Sequence, residues 1–258
     1  MISNTSRLQA MIFVFLPIFA LILFGCPQAT ITPSHTPSTS IGTAGRPQRI
    51  VVYPFEVSAE HITENQGPIQ RALRATKSDD EQRQGRLKTG LDVANELAQD
   101  LVKGLQGLGF NAESVPRGTP VSGEAMIIDG RILNANEGNR ARQVIIGFGV
   151  GASSLETEVN VSQVSAGGTL VHVMSFKTHA DSGKMPGAAL TMGVGGAAQG
   201  VVAAGGASVA QGAVKTYTSM LSRLADNSTK QITAYLSQYF AAKGWISSDQ
   251  AQKVSMTK

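Results

Sequence analysis

Hydrophobic residues recur along this chain in three distinct patterns: an uninterrupted run, a helical stripe and a strict alternation. The stripe is Leu87, Leu91, Ala94, Leu97, Leu101, Leu105 and Leu108, whose steps of three and four residues keep them on one side of a helix. Ser78-Asp79-Asp80-Glu81 stands ahead of it as a capping box, and Gly109 follows it as a natural left-handed stop. This spacing predicts a long helix whose apolar stripe is a core face. The alternation lies in SLETEVNVSQV, residues 154–164. Leu155, Thr157, Val159 and Val161 point one way, while Glu156, Glu158, Asn160 and Ser162 point the other. A short Ala166-Gly167-Gly168 turn and the segment TLVHVMSFKTH complete a β-hairpin with one dry and one wet face.

Further strands are predicted in RIVVYPFEV (49–57), FNAESV (110–115) and AMIIDGRILNANEG (125–138). Pro54 has no N–H for a ladder, so the first of these is expected at an edge or bulged there. Residues 60–77 are polar and carry no clear period. A second helix is predicted over Tyr217–Lys243, with Met220, Leu221, Leu224, Ile232, Leu236, Tyr239 and Phe240 as its apolar set. Gly244 ends it, and Trp245 is placed to fold back on the last turn. The order of elements predicts an α+β fold: a mostly antiparallel sheet with a long helix packed on one face, a Gly/Ala-rich insert and a C-terminal helix. One domain is expected over 49–246, followed by a polar tail over 247–258.

The uninterrupted run is Met11–Phe24, MIFVFLPIFALILF, with Arg7 before it and no charge inside. As a helix it would reach only ~21 Å, short of a bilayer core of roughly 30 Å. A basic start, an apolar middle and a small residue behind it are the parts of an export signal, here residues 1–25. Leu23-Phe24-Gly25-Cys26 resembles the bacterial lipobox, in which the thiol is acylated and the peptide is cut just before it. Phe24 departs from the small or aliphatic residue usual at that place. Cys26 is the only cysteine of the chain, and its position at the end of the run predicts lipid attachment. The resemblance implies several acyl chains, palmitate among them, and hence a stable membrane anchor. Pro27, rather than the Asp that retains such proteins at an inner membrane, favours the periplasmic face of an outer membrane over the inner membrane. Residues 26–48 carry the lipidated cysteine and a Pro/Ser/Thr-rich stretch with few large apolar side chains, which predicts a flexible tether.

Lys and Arg number 22 against 18 Asp and Glu, a formal net charge of +4, and the two signs are interleaved. No basic stripe with aromatics is present, so a nucleic-acid partner is not expected. With one cysteine there is no internal disulfide, and stability must come from packing. Gly147-Phe148-Gly149-Val150-Gly151-Ala152 fits a dinucleotide fingerprint, but the next residues alternate as a strand where the phosphate needs a helix N-terminus. His172 and His179, seven apart, fall on opposite faces of an extended segment, so no joint metal site is expected. Glu156 and Glu158 share the wet strand face, where solvation accounts for them. No serine stands in a G-x-S-x-G elbow. The chain is therefore expected to have no catalytic residue, no metal and no cofactor. Gly187–Val214 is uncharged and rich in Gly, Ala and Val, with Gly196-Ala197-Ala198-Gln199-Gly200 as a small-residue motif. Its eight glycines and single Leu favour a loop over a membrane helix.

The stretch IIDGRILNANEGNRARQVIIGFGVGASSLETEVNVSQVSAGGTLVHVMSF and the later YLSQYFAAKGWI resemble a bacterial lipoprotein family known as domain of unknown function forty-four ten, from about Arg49 to Ile246. Arg140 and Arg142 ahead of the glycines belong to its most specific part. The resemblance implies no reaction, so no catalytic residue transfers. The order of elements is also similar to periplasmic lipoprotein domains of the curli-secretion and TolB N-terminal type, a likeness of fold alone. The expectation is a lipid-anchored periplasmic protein without catalysis, serving as an interaction or envelope module with an unidentified envelope partner. The alternative is an oligomeric outer-membrane channel or secretion-associated lipoprotein, in which copies of the chain form a homo-oligomer.

Overall fold

The computed structural model describes residues 29–35, 45–65, 67–139, 151–165, 167–182 and 208–254. The alternating segments are strands: β5 (Ala125–Asn136), β6 (Ser154–Val164) and β7 (Leu170–Asp181) pair antiparallel in sequence order. Leu155, Thr157, Val159 and Val161 are buried, as their spacing requires, and the Thr157 hydroxyl is satisfied across the ladder by Thr178 Oγ1 at 2.8 Å. The shorter strands β1 (Ala29–His35), β2 (Arg49–Val52), β3 (Ile62–Thr63) and β4 (Ala112–Ser114) complete a seven-stranded sheet. Its order is β1-β7-β6-β5-β2-β4, with β3 beside the far end of β5. The long pairings are antiparallel; β2 joins β4 and β5 in parallel, as does β3 with β5.

Among the described residues three α-helices accompany the sheet: α1 (Pro68–Arg74), α2 (Asp79–Gly107) and α3 (Ser208–Ala242). The capping box forms, with Ser78 Oγ accepting from the Glu81 N–H at 3.3 Å and Glu81 Oε2 accepting from the Ser78 N–H at 2.8 Å. Leu97, Leu101 and Leu105 of α2 and Leu224, Ile232, Leu236 and Phe240 of α3 join one core with the sheet. α3 crosses β1, β7 and β6, whereas α2 lies over β2 to β5. Phe110 and Phe240 stack at 4.5 Å, and Phe176 meets Tyr235 at 4.7 Å. Each fully buried Leu or Phe contributes about 1.5–3 kcal/mol. The helices run in the same direction and touch at Gly104, where an added Cβ would sit 2.5 Å from Thr233 Oγ1. Trp245 folds back on Tyr239 and Phe240.

Several expectations are corrected. The stretch expected as tether contributes β1, which pairs antiparallel with β7 and buries Ala29 and Ile31. An edge strand needs only one dry face and tolerates Pro33, so two apolar residues suffice where composition alone reads as linker. β2 is an interior strand; it stops at Val52, ahead of Pro54, and the chain rejoins β5 at Glu56 opposite Arg131. α3 starts at Ser208, so residues 208–214 of the expected loop are helical, while 187–207 lie outside the described residues. Leu87 and Leu91 remain 38% and 47% exposed. They are on the correct side of α2, but none of residues 79–89 is buried, and the covered part of the helix begins at Gly90 against Val57 and Ile62.

These burials predict opposite outcomes for two leucines of one stripe. Leu101→Ala is expected to cost about 2–5 kcal/mol of stability. Leu91→Ala is expected to stay within about 0.5 kcal/mol of the parent. Denaturant midpoints at unchanged slope measure both.

Candidate functional site

At one end of the sheet, β5 and β7 finish while β1 and β6 begin. A hydrogen-bonded clasp closes this end. Asn139 N–H donates to Gly151 O at 2.8 Å, Ser153 Oγ donates to Glu137 O at 2.8 Å, and Ser182 N–H donates to Ser153 O at 2.9 Å. Ser153 N–H returns a bond to Ser182 Oγ at 3.0 Å. Gly138 takes a left-handed φ of +74°, and a Cβ there would collide with Gly151 O, so glycine is required for the two strands to meet. Of the dinucleotide-like motif, Gly147 to Val150 lie outside the described residues. Gly151 and Ala152 lead through Ser153 into β6. The helix N-terminus that a pyrophosphate requires does not follow them.

Beside the clasp, α1 and the first halves of α2 and α3 enclose a cavity of about 460 Å³, lined by Leu73, Arg74, Val93, Glu96, Glu137 and Ser222 among others. Ser222 Oγ donates to Glu96 Oε2 at 2.7 Å. Arg74 is held between Glu64 Oε2 at 3.3 Å and Asn65 O at 2.6 Å. Glu137 Oε2 accepts the Asn65 N–H at 3.1 Å. Burial is the main cause that raises the Glu137 carboxyl above its ordinary range, and the nearby Glu64 carboxylate adds to it. The bond from Asn65 and the Arg74 charge oppose the rise. The cavity thus combines apolar walls with carboxylates, the Lys77 ammonium and one paired guanidinium. That is binding chemistry. Its serine bonds a carboxylate, and the lining has no imidazole to act as base.

The wet face of the sheet carries the polar residues singled out by spacing. Glu156 Oε1 lies 3.1 Å from His179 Nδ1, and Arg131 binds Glu158 Oε2 through Nε at 2.7 Å. Asn160 bridges Asp129 at 3.3 Å and Ser175 at 2.8 Å. Contrary to the spacing argument, His172 and His179 share this face. A β-bulge inserts Val173 between the partners of Val161 and Ser162, which returns His172 to the wet side. Ser175 Oγ then lies 3.1 Å from His172 Nε2. The two histidines oppose Ser162 and Glu156, about 20 Å apart along the strand, so they do not share a ligand. No group of three His, Cys, Asp or Glu able to hold a metal occurs among the described residues. Leu23, Phe24, Gly25 and Cys26 lie outside them. The cavity and the Ser175–His172 contact had no sequence signal: the first depends on where three helices meet, the second on a bulge.

The model of the family described as Domain of unknown function (DUF4410) matches residues 50–199. No curated protein matches the chain. Among solved structures, a PelC dodecamer from Paraburkholderia phytofirmans in space group C2 is similar at 11% identity and a TM-score of 0.27, covering 78% of this chain and 98% of that one. A second PelC dodecamer from the same organism, in space group P6, is similar at 8% identity and a TM-score of 0.26 with the same coverage. Likeness this distant transfers neither assembly nor role.

The raised Glu137 carboxyl has a testable consequence. The folded chain holds this proton more tightly than the unfolded chain, whose ordinary value is 4.5. The group therefore costs no stability below that value, and stability falls as pH rises through the raised folded value. Glu137→Gln keeps an acceptor for Asn65 N–H but has no proton to lose. It is expected to flatten that fall, measured as Tm across roughly pH 4 to 8.

Proposed function

The chain belongs to the DUF4410 family, and from that premise we propose that it is a lipid-anchored envelope protein with a non-catalytic, interaction-type domain. The observation that carries the reading is the order Arg7, uncharged Met11–Phe24, Leu23-Phe24-Gly25-Cys26. Acylation at Cys26 ties the body to a bilayer, and export places it on the periplasmic side, at the outer membrane by the residue that follows the cysteine. No helix among the described residues is long and apolar enough to cross a membrane, so lipid attachment supplies a hold that those helices do not.

The polar residues support an interaction role over turnover. On the wet sheet face they bond to one another in pairs, Arg131 with Glu158 as an ion pair and Glu156 with His179 at hydrogen-bond distance, rather than aligning nucleophile, base and orienting group. A second reading, a homo-oligomeric channel or secretion-associated lipoprotein, draws support from the sheet edges. Among the described residues β1 and β4 each have one paired side only, and such edges can join copies of a chain.

In a Cys26→Ser variant, loss of fatty-acid labelling and accumulation of uncleaved precursor are expected. Normal processing of that variant would refute the anchor. Sizing of the detergent-extracted parent separates the two readings, because a discrete large ring supports the second and a monomer the first.

A further inference from the structure

Arginine stays charged at every working pH, so a guanidinium withdrawn from water needs an anion beside it. Among the described residues three arginines are half-buried: Arg49, Arg74 and Arg86. Arg49 meets Glu113 at 3.2 Å, and Arg74 meets Glu64 at 3.3 Å. Arg86 has neither an ion pair nor a hydrogen-bond acceptor among the described residues. All 18 Asp and Glu of the chain are described, so no carboxylate side chain elsewhere in it supplies the missing partner.

Arg86 lines a cleft of about 570 Å³ between α1, the first two turns of α2 and residues 59–64. This cleft is distinct from the cavity at Glu137, and Glu64 and Arg74 form the wall between them. α1 buries no residue, so polar ties set its position. Gln82 Nε2 donates to Arg74 O and to Lys77 O, each at 3.2 Å, and Arg74 donates to Asn65 O at 2.6 Å. These ties place Arg71 of α1 on the same cleft as Arg86 of α2, and Arg71 likewise has no acidic partner. The remaining walls narrow the ligand. Thr63 brings a hydroxyl that bonds nothing among the described residues. Glu60 and Glu64 also line the cleft, but each already holds a guanidinium, Arg83 at 3.7 Å and Arg74 at 3.3 Å. Asp79, Asp80 and Glu81 stand outside the lining, and Glu81 is turned onto Ser78. Salt screens exposed charges of that kind over about 8 Å.

We propose that this cleft binds a small phosphate monoester of a polyhydroxy compound, in class a phosphorylated sugar. Two guanidiniums on two helices match a dianion, and their planar forks suit phosphate oxygens. Arg71 and Arg86 take the phosphate, Thr63 donates to it, and the carboxylate oxygens of Glu60 and Glu64 accept hydroxyls of the body. The cleft is larger than a bare phosphate fills, which leaves room for that body. The site goes beyond the anchored reading and stands whether or not Cys26 is acylated.

The test titrates the full chain, extracted in a neutral detergent, with glucose 6-phosphate, glucose and inorganic phosphate in a calorimeter. Micelles doped with phosphatidylglycerol are run beside them, and Tm is recorded for every variant. The parent is expected to bind glucose 6-phosphate more tightly than either part alone. Arg71→Gln and Arg86→Gln are each expected to weaken that binding about tenfold at unchanged Tm. Lys88→Gln makes the same change of charge at an exposed position outside the lining and is expected to bind like the parent. A parent that does not bind the ester overturns the site. An equal loss in Lys88→Gln overturns it in favour of general charge attraction. A lowered Tm with unchanged affinity in Arg86→Gln overturns it and assigns Arg86 to packing. Inorganic phosphate bound as tightly as the ester overturns the polyhydroxy body, and binding confined to the doped micelles overturns the soluble ligand.

Discussion

The structure depends on covering one face of one sheet and leaving the other wet. α2 and α3 lie side by side on the dry face, and they approach closely because Gly104 leaves room for Thr233. That arrangement lets two helices roof strands from β4 across to β1 without a gap between them. The register of β5, β6 and β7 follows from it. A slip of one residue would bring Glu156, Glu158 and Asn160 under the helices and expose Leu155, Val159 and Val161. Pairs such as Arg131–Glu158 on the open face contribute little energy, and they agree with a register that burial has already chosen.

The same roof creates the candidate site. Where α2 runs past the end of the sheet, its neighbours are α1 and the turn around Glu64 rather than strands. The space left there is walled by apolar side chains that still face the core and by polar ones that no longer do. Glu137 belongs to both environments. It follows directly on β5 and binds the backbone of Asn65, yet its carboxyl is half-buried, and that burial raises it above its ordinary range. The clasp made by Glu137, Asn139, Gly151, Ser153 and Ser182 then holds three strands together at the one end where the chain repeatedly departs from the sheet.

Much of this fold was legible in the sequence, for a physical reason. Period-two alternation in residues 154–164 and the three-four stripe of α2 are local patterns that each element must satisfy to bury one side. The capping box of Ser78 and Glu81 is equally local. What escaped depended on partners far away in the chain. β1 has the composition of a linker, and only β7 makes it a strand. Leu87 and Leu91 continue the stripe, yet nothing in their own spacing tells that the covering layers end near Gly90. The parity rule that separated His172 from His179 holds for an unbroken strand, and Val173 breaks it. The cavity around Glu137 was beyond sequence reading because its walls come from three helices and a loop. The proposed lipid attachment is the converse case: it is read from four residues, Leu23 to Cys26, that lie outside the described part of the fold.

β1 has a consequence for assembly in time. It is the first part of the sheet to be synthesised, and its hydrogen-bonding partner is β7, the last strand to appear. Ile31 cannot find its place until Phe176 and Ala180 exist, and α3, which packs over the seam, arrives later still. Closing so long a loop is slow compared with forming the β6–β7 hairpin or the α2 helix. A chain delivered from its N-terminus must therefore keep its leading strand unpaired through nearly the whole of its delivery. The edge of the sheet is sealed last.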